Sequence, residues 1–170
     1  MRIVVSDSSC LIDLRKASLL DAFLHLPYEI VIPNTLFDDE LLKFSAAQKR
    51  TLLRGGLKVL DLPSEGVLRA QHIAQTFPQI SIHDSFAFAL AEAHPGCILL
   101  TGDGALRALA TNHQIEVHGM LWLIDELHTA ELAEARVLHD ALHLFANDPT
   151  ARLPAHDLAA AIARYRHLVA

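Results

Sequence analysis

The chain has 170 residues, 52% of them hydrophobic and 20% charged, which excludes disordered and fibrous proteins and suits one domain with a hydrophobic core. No apolar run approaches the roughly 20 residues that span a bilayer, the amino terminus lacks a signal-peptide pattern, and only two cysteines are present, so we expect a cytoplasmic protein with no membrane partner. The net charge of −6 argues against binding nucleic acid through a general electrostatic field, although bound cations would neutralise carboxylates at a nuclease site.

Strand-like and helical patterns alternate over the first two thirds of the chain. Apolar runs predict strands at residues 3–6, 29–33, 57–62, 97–101 and 115–119. Helical patterns follow them, first around Leu11–Leu14 and then at 18–26, 34–44, 64–77, 83–94 and 104–112. This alternation implies right-handed crossovers, so we predict an α/β three-layer sandwich with a central, mostly parallel sheet.

Beyond residue 119 the patterns are only helical. One helical stretch begins at Gly119, a second covers 130–146, and a third covers 154–170 after a break at Asn147–Pro149. No linker, repeat or low-complexity segment separates these helices from the rest. We therefore predict a single domain over 1–170, with a core at about 1–119 and a helical extension at 120–170. A homodimer or partner-binding surface is the alternative use of these helices.

Four acidic residues share one kind of position in the predicted sheet. Asp7 follows the first strand, Asp103 follows the very apolar fourth strand, and Asp84 stands in the first turn of a helix. Glu40 lies in the helix after the second strand. Because the carboxyl ends of parallel strands open on one side of a sheet, these acids can converge although they are scattered in sequence. Taken singly, each also fits a helix cap or a turn.

Four carboxylates held together repel one another unless cations are bound. Hard oxygen donors without a His or Cys spacing favour Mg²⁺ or Mn²⁺ over zinc. Such a site suits two-metal hydrolysis of a phosphodiester bond. We therefore predict that Asp7, Glu40, Asp84 and Asp103 bind one or two Mg²⁺ or Mn²⁺ ions and form the catalytic site.

Four motifs, in this order, resemble those of the PIN-domain family, which includes many VapC-type toxins of toxin–antitoxin pairs: "IVVSDSSCLIDL", "VIPNTLFDDELL", "SIHDSFAFALA" and "ILLTGDGALRALA". The resemblance covers residues 1 to about 119. It implies a metal-dependent ribonuclease that cuts RNA and is inhibited by a small antitoxin protein. Carried over residue by residue, the acidic quartet of the family corresponds to Asp7, Glu40, Asp84 and Asp103.

Several alternatives stay open at this point. Counting from Pro33 places Asp39 rather than Glu40 in the second motif, although Glu40 lets Phe37 and Leu41 pack inward together. A PIN-like protein-binding module with weak catalysis fits the acidic net charge, and another metal-dependent phosphoesterase is a third hypothesis. Five basic residues between Lys43 and Lys58 form either a solvated helix face or a patch that faces phosphate.

Overall fold

The computed structural model describes all 170 residues and is built around a five-stranded sheet in which every strand pair is parallel. The predicted α/β class is confirmed, and the sheet is wholly rather than mostly parallel. The strand order is β3-β2-β1-β4-β5. The strands are β1 (Arg2–Ser6), β2 (Tyr28–Pro33), β3 (Lys58–Leu60), β4 (Ile98–Leu100) and β5 (Glu116–His118).

The direction in which successive strands are added to the sheet reverses at β1. The chain moves outward from β1 to β2 and β3, then returns to place β4 on the other side of β1. With right-handed crossovers, helices then cover both faces of the sheet. Crevices at the carboxyl ends of strands open at such a reversal, which here lies between β1 and β4.

Ten helices connect and follow the strands. Several begin at an oxygen-bearing cap: Asp7, Ser45, Ser81 and Asp103 each accept a hydrogen bond from a backbone N–H in the first helical turn. The helices are α1 (Ser8–Lys16), α2 (Leu20–Leu24), α3 (Asn34–Asp39), α4 (Ala46–Arg54), α5 (Ser64–Thr76), α6 (Ile82–Glu92), α7 (Gly104–Asn112), α8 (Met120–Thr129), α9 (Ala135–Ala146) and α10 (Ala155–Val169).

Two predicted helices are shorter than their sequence patterns. The helix expected over 34–44 ends at Asp39, and a separate helix, α4, begins at Ala46, where the N-cap Ser45 and Gln48 form a reciprocal capping box. The helix expected over 130–146 begins only at Ala135, because Glu131 adopts a left-handed conformation with φ of 57°. Apolar periodicity continues through both breaks, so it concealed them.

The C-terminal helices contribute to the same hydrophobic core as the sheet. One cluster of 41 buried residues joins Val5 of β1 to Leu123, Leu142 and Tyr165 of the last three helices. Both cysteines are buried and unpaired. No helix combines the length and apolar character needed to cross a membrane.

Candidate functional site

The four predicted acids line one cleft at the carboxyl ends of the strands. The cleft has a volume of about 460 Å³, and its walls include Asp7, Glu40, Asp84 and Asp103. Asp7 directly follows β1, and Asp103 comes three residues after β4, so these two flank the reversal of strand order. The folded chain therefore brings together residues separated by up to 96 positions, since 103 − 7 = 96.

Asp7 and Asp103 are helix caps and cleft residues at the same time. Asp7 is 2% exposed; its Oδ1 accepts the Cys10 N–H at 2.9 Å, and its Oδ2 accepts the Thr101 hydroxyl at 2.5 Å. The Thr101 oxygen in turn accepts the N–H of Asp103 at 3.1 Å. One hydroxyl thus links the two acids across β1 and β4. Burial raises the pKa of Asp7 although these hydrogen bonds oppose the shift.

Asp84 shows that the acids influence one another. It lies in the first turn of α6, where its N–H donates to the Ser81 hydroxyl at 3.0 Å. Burial raises the pKa of Asp84 to about 6, and repulsion from Asp7, Asp103 and Glu40 adds to the effect. A helix N-terminus normally favours a carboxylate, so burial and the neighbouring charges outweigh the helix dipole here.

Glu40 and Asp39, the two candidates for the second acid, have different surroundings. Glu40 lines the cleft, and its Oε1 accepts the Ser8 hydroxyl at 2.5 Å. The Asp39 side chain is 60% exposed and does not line the cleft, and His83 contacts both acids, with Nε2 3.3 Å from Asp39 Oδ2 and Nδ1 3.8 Å from Glu40 Oε2. Phe37 and Leu41 are both buried, as their spacing suggested. The geometry is consistent with the assignment of Glu40 to the quartet, which stays a prediction.

Comparison with known proteins gives the family. The DUF3368 family model, described as a PIN domain, matches residues 3–165. The chain belongs to the PIN-domain family. No curated protein matches it.

The match confirms the resemblance of the sequence motifs and extends further along the chain. The motifs covered residues 1 to about 119, whereas the family model also covers α8, α9 and most of α10. PIN domains are generally nucleases that act on RNA or DNA, so the fold of this chain is of a nuclease type.

Sequence analysis missed Arg152, which reaches the cleft of this PIN domain from the segment between α9 and α10. Its Nη1 lies 2.8 Å from Asp103 Oδ2. A Cβ at position 102 would lie 3.1 Å from the Arg152 carbonyl oxygen, so a larger residue in place of Gly102 would push this segment away by a few tenths of an ångström. Lys16 also holds the segment, through Asp148 at 2.9 Å and Thr150 at 3.0 Å. No local signal in "DPTARLPA" predicts these contacts.

Asp13 is a second residue that sequence analysis missed. It lies on the buried face of α1, is 9% exposed, and lines the cleft. Burial raises its pKa to about 6; Lys16 opposes the shift, whereas Asp148 and Asp7 add to it. The helical spacing of Cys10, Leu11 and Leu14 does place position 13 beside buried residues, which was the available signal.

The donors in the cleft suit a hard divalent cation, but they do not form a compact ligand set. No three His, Cys, Asp or Glu side chains lie close enough together to hold a metal ion. The oxygens of Asp7 accept protein hydrogen bonds, and Asp103 pairs with Arg152. The donor chemistry nevertheless fits, because carboxylate oxygens are preferred ligands of Mg²⁺ and a guanidinium cation already lies against Asp103. PIN domains typically use divalent metals.

Proposed function

We propose that this PIN domain is a Mg²⁺- or Mn²⁺-dependent endoribonuclease that hydrolyses RNA phosphodiester bonds. One observation carries the proposal: four carboxylates from different elements line one cleft, and the pKa of Asp84 rises to about 6 because of burial and the charges of the other three. Such an arrangement destabilises the fold in the absence of a cation, and cation binding relieves the repulsion; groups with shifted pKa values are common at functional sites for this reason.

In this proposal Asp7, Glu40, Asp84 and Asp103 hold the cation. A bound divalent cation would supply charge neutralisation at the phosphate and a more acidic attacking water. The protein's own hydrogen bonds orient the carboxylates: Thr101 positions Asp7, and Ser8 positions Glu40. When RNA binds, Arg152 would leave Asp103 and contact the RNA phosphate instead, because guanidinium groups bind phosphate well.

Basic residues near Glu40 support a nucleic-acid substrate despite the negative net charge. Lys49 Nζ lies 4.9 Å from the centre of the Phe37 ring, and Arg15 lies 5.1 Å from the centre of the Phe44 ring. Both rings belong to the segment that surrounds Glu40. Cations near the segment around Glu40 would contact backbone phosphates and lower the local negative potential.

The test is RNA cleavage by the purified protein with Mg²⁺ or Mn²⁺. We expect endonucleolytic products from a labelled RNA, none in excess EDTA, and a rate on the order of 10²-fold lower for Asp84→Asn, since preorganised charge at such sites contributes this much. Catalysis unaffected by Asp84→Asn in a pure preparation would contradict the proposal.

The neighbouring acids provide a matched pair of variants. Glu40→Gln should reduce cleavage as strongly as Asp84→Asn, whereas Asp39→Asn should leave it within about twofold of wild type, because Asp39 is exposed and does not line the cleft. The reverse result would assign the second acid of the quartet to Asp39. Circular dichroism spectra of both variants check that the fold is unchanged.

A protein-binding module with weak catalysis is a second candidate, favoured by the lack of a compact ligand set. Titration calorimetry with Mn²⁺ separates the two functions. A nuclease should bind Mn²⁺ with an affinity that falls strongly in Asp103→Ala, whereas a module should show no binding that depends on Asp103.

We further propose that the protein is the toxin of a type II toxin–antitoxin pair. The support is the resemblance of the four motifs to VapC-type toxins. Expression should arrest growth, Asp84→Asn should abolish the arrest, and co-expression of the protein encoded by the adjacent reading frame should relieve it. Light scattering of the purified protein tests whether it forms a homodimer, the alternative use of the C-terminal helices.

A further inference from the structure

A second pocket lies beside the acidic cleft and shares Ser9, Asp13, Thr150 and Arg152 with it. Its volume is about 370 Å³, within the usual range for sites that bind small organic groups. The shared residues form the boundary, so a group bound in the pocket would lie next to the proposed scissile phosphate. Apart from Arg152, the residues of this pocket have no role in the function proposed above.

The walls of this pocket combine apolar surface with two arginines. Met120, Leu121, Trp122, Leu153 and Pro154 supply the apolar surface, and Arg107 and Arg152 supply positive charge. The Trp122 ring stacks on His118 with ring centres 4.4 Å apart and planes 10° apart, which fixes the indole in position. An apolar wall beside cationic side chains suits a flat heterocycle attached to a phosphate.

The carboxylate of Asp13, which lines the pocket, indicates which kind of ligand would bind there. Its carboxylate accepts no hydrogen bond and has no cationic side chain within 4.0 Å, although the residue is only 9% exposed. The other buried carboxylate of the cleft, that of Asp7, accepts hydrogen bonds from Cys10 and Thr101. The Asp13 oxygens still contact solvent in the pocket, so N–H donors brought by a ligand could take the place of water at this carboxylate.

We propose that this pocket binds an unstacked guanine base of the nucleic acid and that Asp13 accepts hydrogen bonds from its N1–H and its 2-amino group. Guanine presents two adjacent donors that match the two oxygens of a carboxylate. Adenine and cytosine present one amino group beside an acceptor nitrogen, and uracil presents one N–H between two carbonyls. The pocket would then select guanine next to the cleaved bond, a preference that rests on the proposed nuclease function.

Trp122 allows the pocket to be tested directly, because it is the only tryptophan of the chain and lines the pocket. The full-length protein in EDTA is titrated with GMP, AMP, CMP, UMP and inorganic phosphate while the intrinsic fluorescence is followed. We expect saturable quenching by GMP with an affinity about tenfold or more above that of the other nucleotides, as one bidentate contact provides. Equal affinities for the four nucleotides would overturn the proposal.

Variants then test the role of Asp13. Asp13→Asn keeps the shape of the side chain and should abolish the preference for GMP, whereas Asp61→Asn, at an exposed position, should retain it. Leu153→Arg, in the segment before α10, should block binding of all nucleotides because it fills the pocket. An unchanged preference for GMP in Asp13→Asn, with an unaltered circular dichroism spectrum, would refute the assignment.

The two proposals fail in different ways. Quenching by GMP without any RNA cleavage would leave the guanine site in place and overturn the nuclease function. Cleavage that shows no preference for guanine near the cut, together with no quenching by GMP, would leave the nuclease function in place and overturn the guanine site.

Discussion

The amino ends and the carboxyl ends of the parallel strands, called the amino edge and the carboxyl edge of the sheet, differ in how their charged side chains are paired. At the amino edge, Arg2 of β1 pairs with Glu116 of β5 at 2.8 Å, and Lys58 of β3 pairs with Glu29 of β2 at 2.6 Å. The pKa of Glu116 is lowered by hydrogen bonds from Arg2 and His118, and that of Glu29 is lowered by Lys58. Every one of these carboxylates has a cationic partner.

The carboxyl edge holds like charges together instead. Burial and neighbouring acids raise the pKa of Asp84, and burial raises that of Asp7. Only Asp103 has an arginine partner, and Arg152 comes from a distant segment. The amino edge is arranged for stability, whereas the carboxyl edge sacrifices stability in a way that functional sites commonly do.

The largest expected effect is stabilisation of the carboxyl edge by a cation. Mn²⁺ at about 100 times its Kd should stabilise the protein by about 2.7 kcal/mol and raise its Tm by roughly 5–10 °C. Asp103→Asn should lose more than half of this increase, because asparagine keeps the helix cap but lacks the charge. Differential scanning fluorimetry measures both. An equal increase in the two proteins would place the cation elsewhere.

Removal of one like charge should stabilise the metal-free protein. Asp84→Asn should raise the free energy of unfolding at pH 7 by about 1 kcal/mol, less than the pKa shift alone suggests because solvent partly screens the site. The same substitution should nearly abolish RNA cleavage. Chemical denaturation in EDTA provides the measurement, and a loss of stability would contradict the repulsion inferred for this edge.

The raised pKa of Asp84 also predicts how the stability of the fold depends on pH. The folded protein has a pKa of about 6 at Asp84, above the ordinary 3.8, so it binds more protons than the unfolded chain between these values. Stability should therefore fall as the pH rises from about 4 to 6 and level off above 7. Asp84→Asn should reduce this slope without removing it, because Asp13 also has a pKa of about 6. Urea denaturation across this pH range would show it.

Substitution of Arg152 should have a smaller effect on cation binding at the carboxyl edge. Arg152→Gln removes the cation that lies against Asp103, so Mn²⁺ should bind up to about fivefold more tightly, the scale expected for one exposed ion pair. Titration calorimetry measures the change. Weaker Mn²⁺ binding in Arg152→Gln would show that the arginine supports the site rather than competing for it.

The smallest expected effect on stability comes from a substitution at the amino edge. Glu116→Gln removes the partner of Arg2 at an exposed position and should lower the Tm by less than about 1 °C. The difference should vanish in 1 M salt because exposed pairs are screened. A large loss of stability would mean that the amino edge contributes more than its exposure suggests, and the contrast between the edges would weaken.

Much of the fold could be predicted from local patterns. The β-branched runs before Asp7 and at 29–33 formed strands, and the apolar run before Thr101 did so too, because buried strands need few long-range contacts to be recognised in sequence. The carboxyl-edge positions of Asp7 and Asp103 followed from their places after parallel strands. The helix over 34–44 was wrong beyond Asp39, since apolar periodicity says nothing about where a chain turns.

The sequence by itself determined the elements, their parallel arrangement and the acids that follow the strands, since propensity, hydrophobic period and strand polarity are local properties. Only the tertiary structure decided which side chains contact those acids. Packing of α1 against the core left Asp13 without a partner, and the close passage of the last loop beside Gly102 placed Arg152 on Asp103. Contacts between residues 49 positions apart depend on how the helices pack, and no short stretch of sequence records that distance.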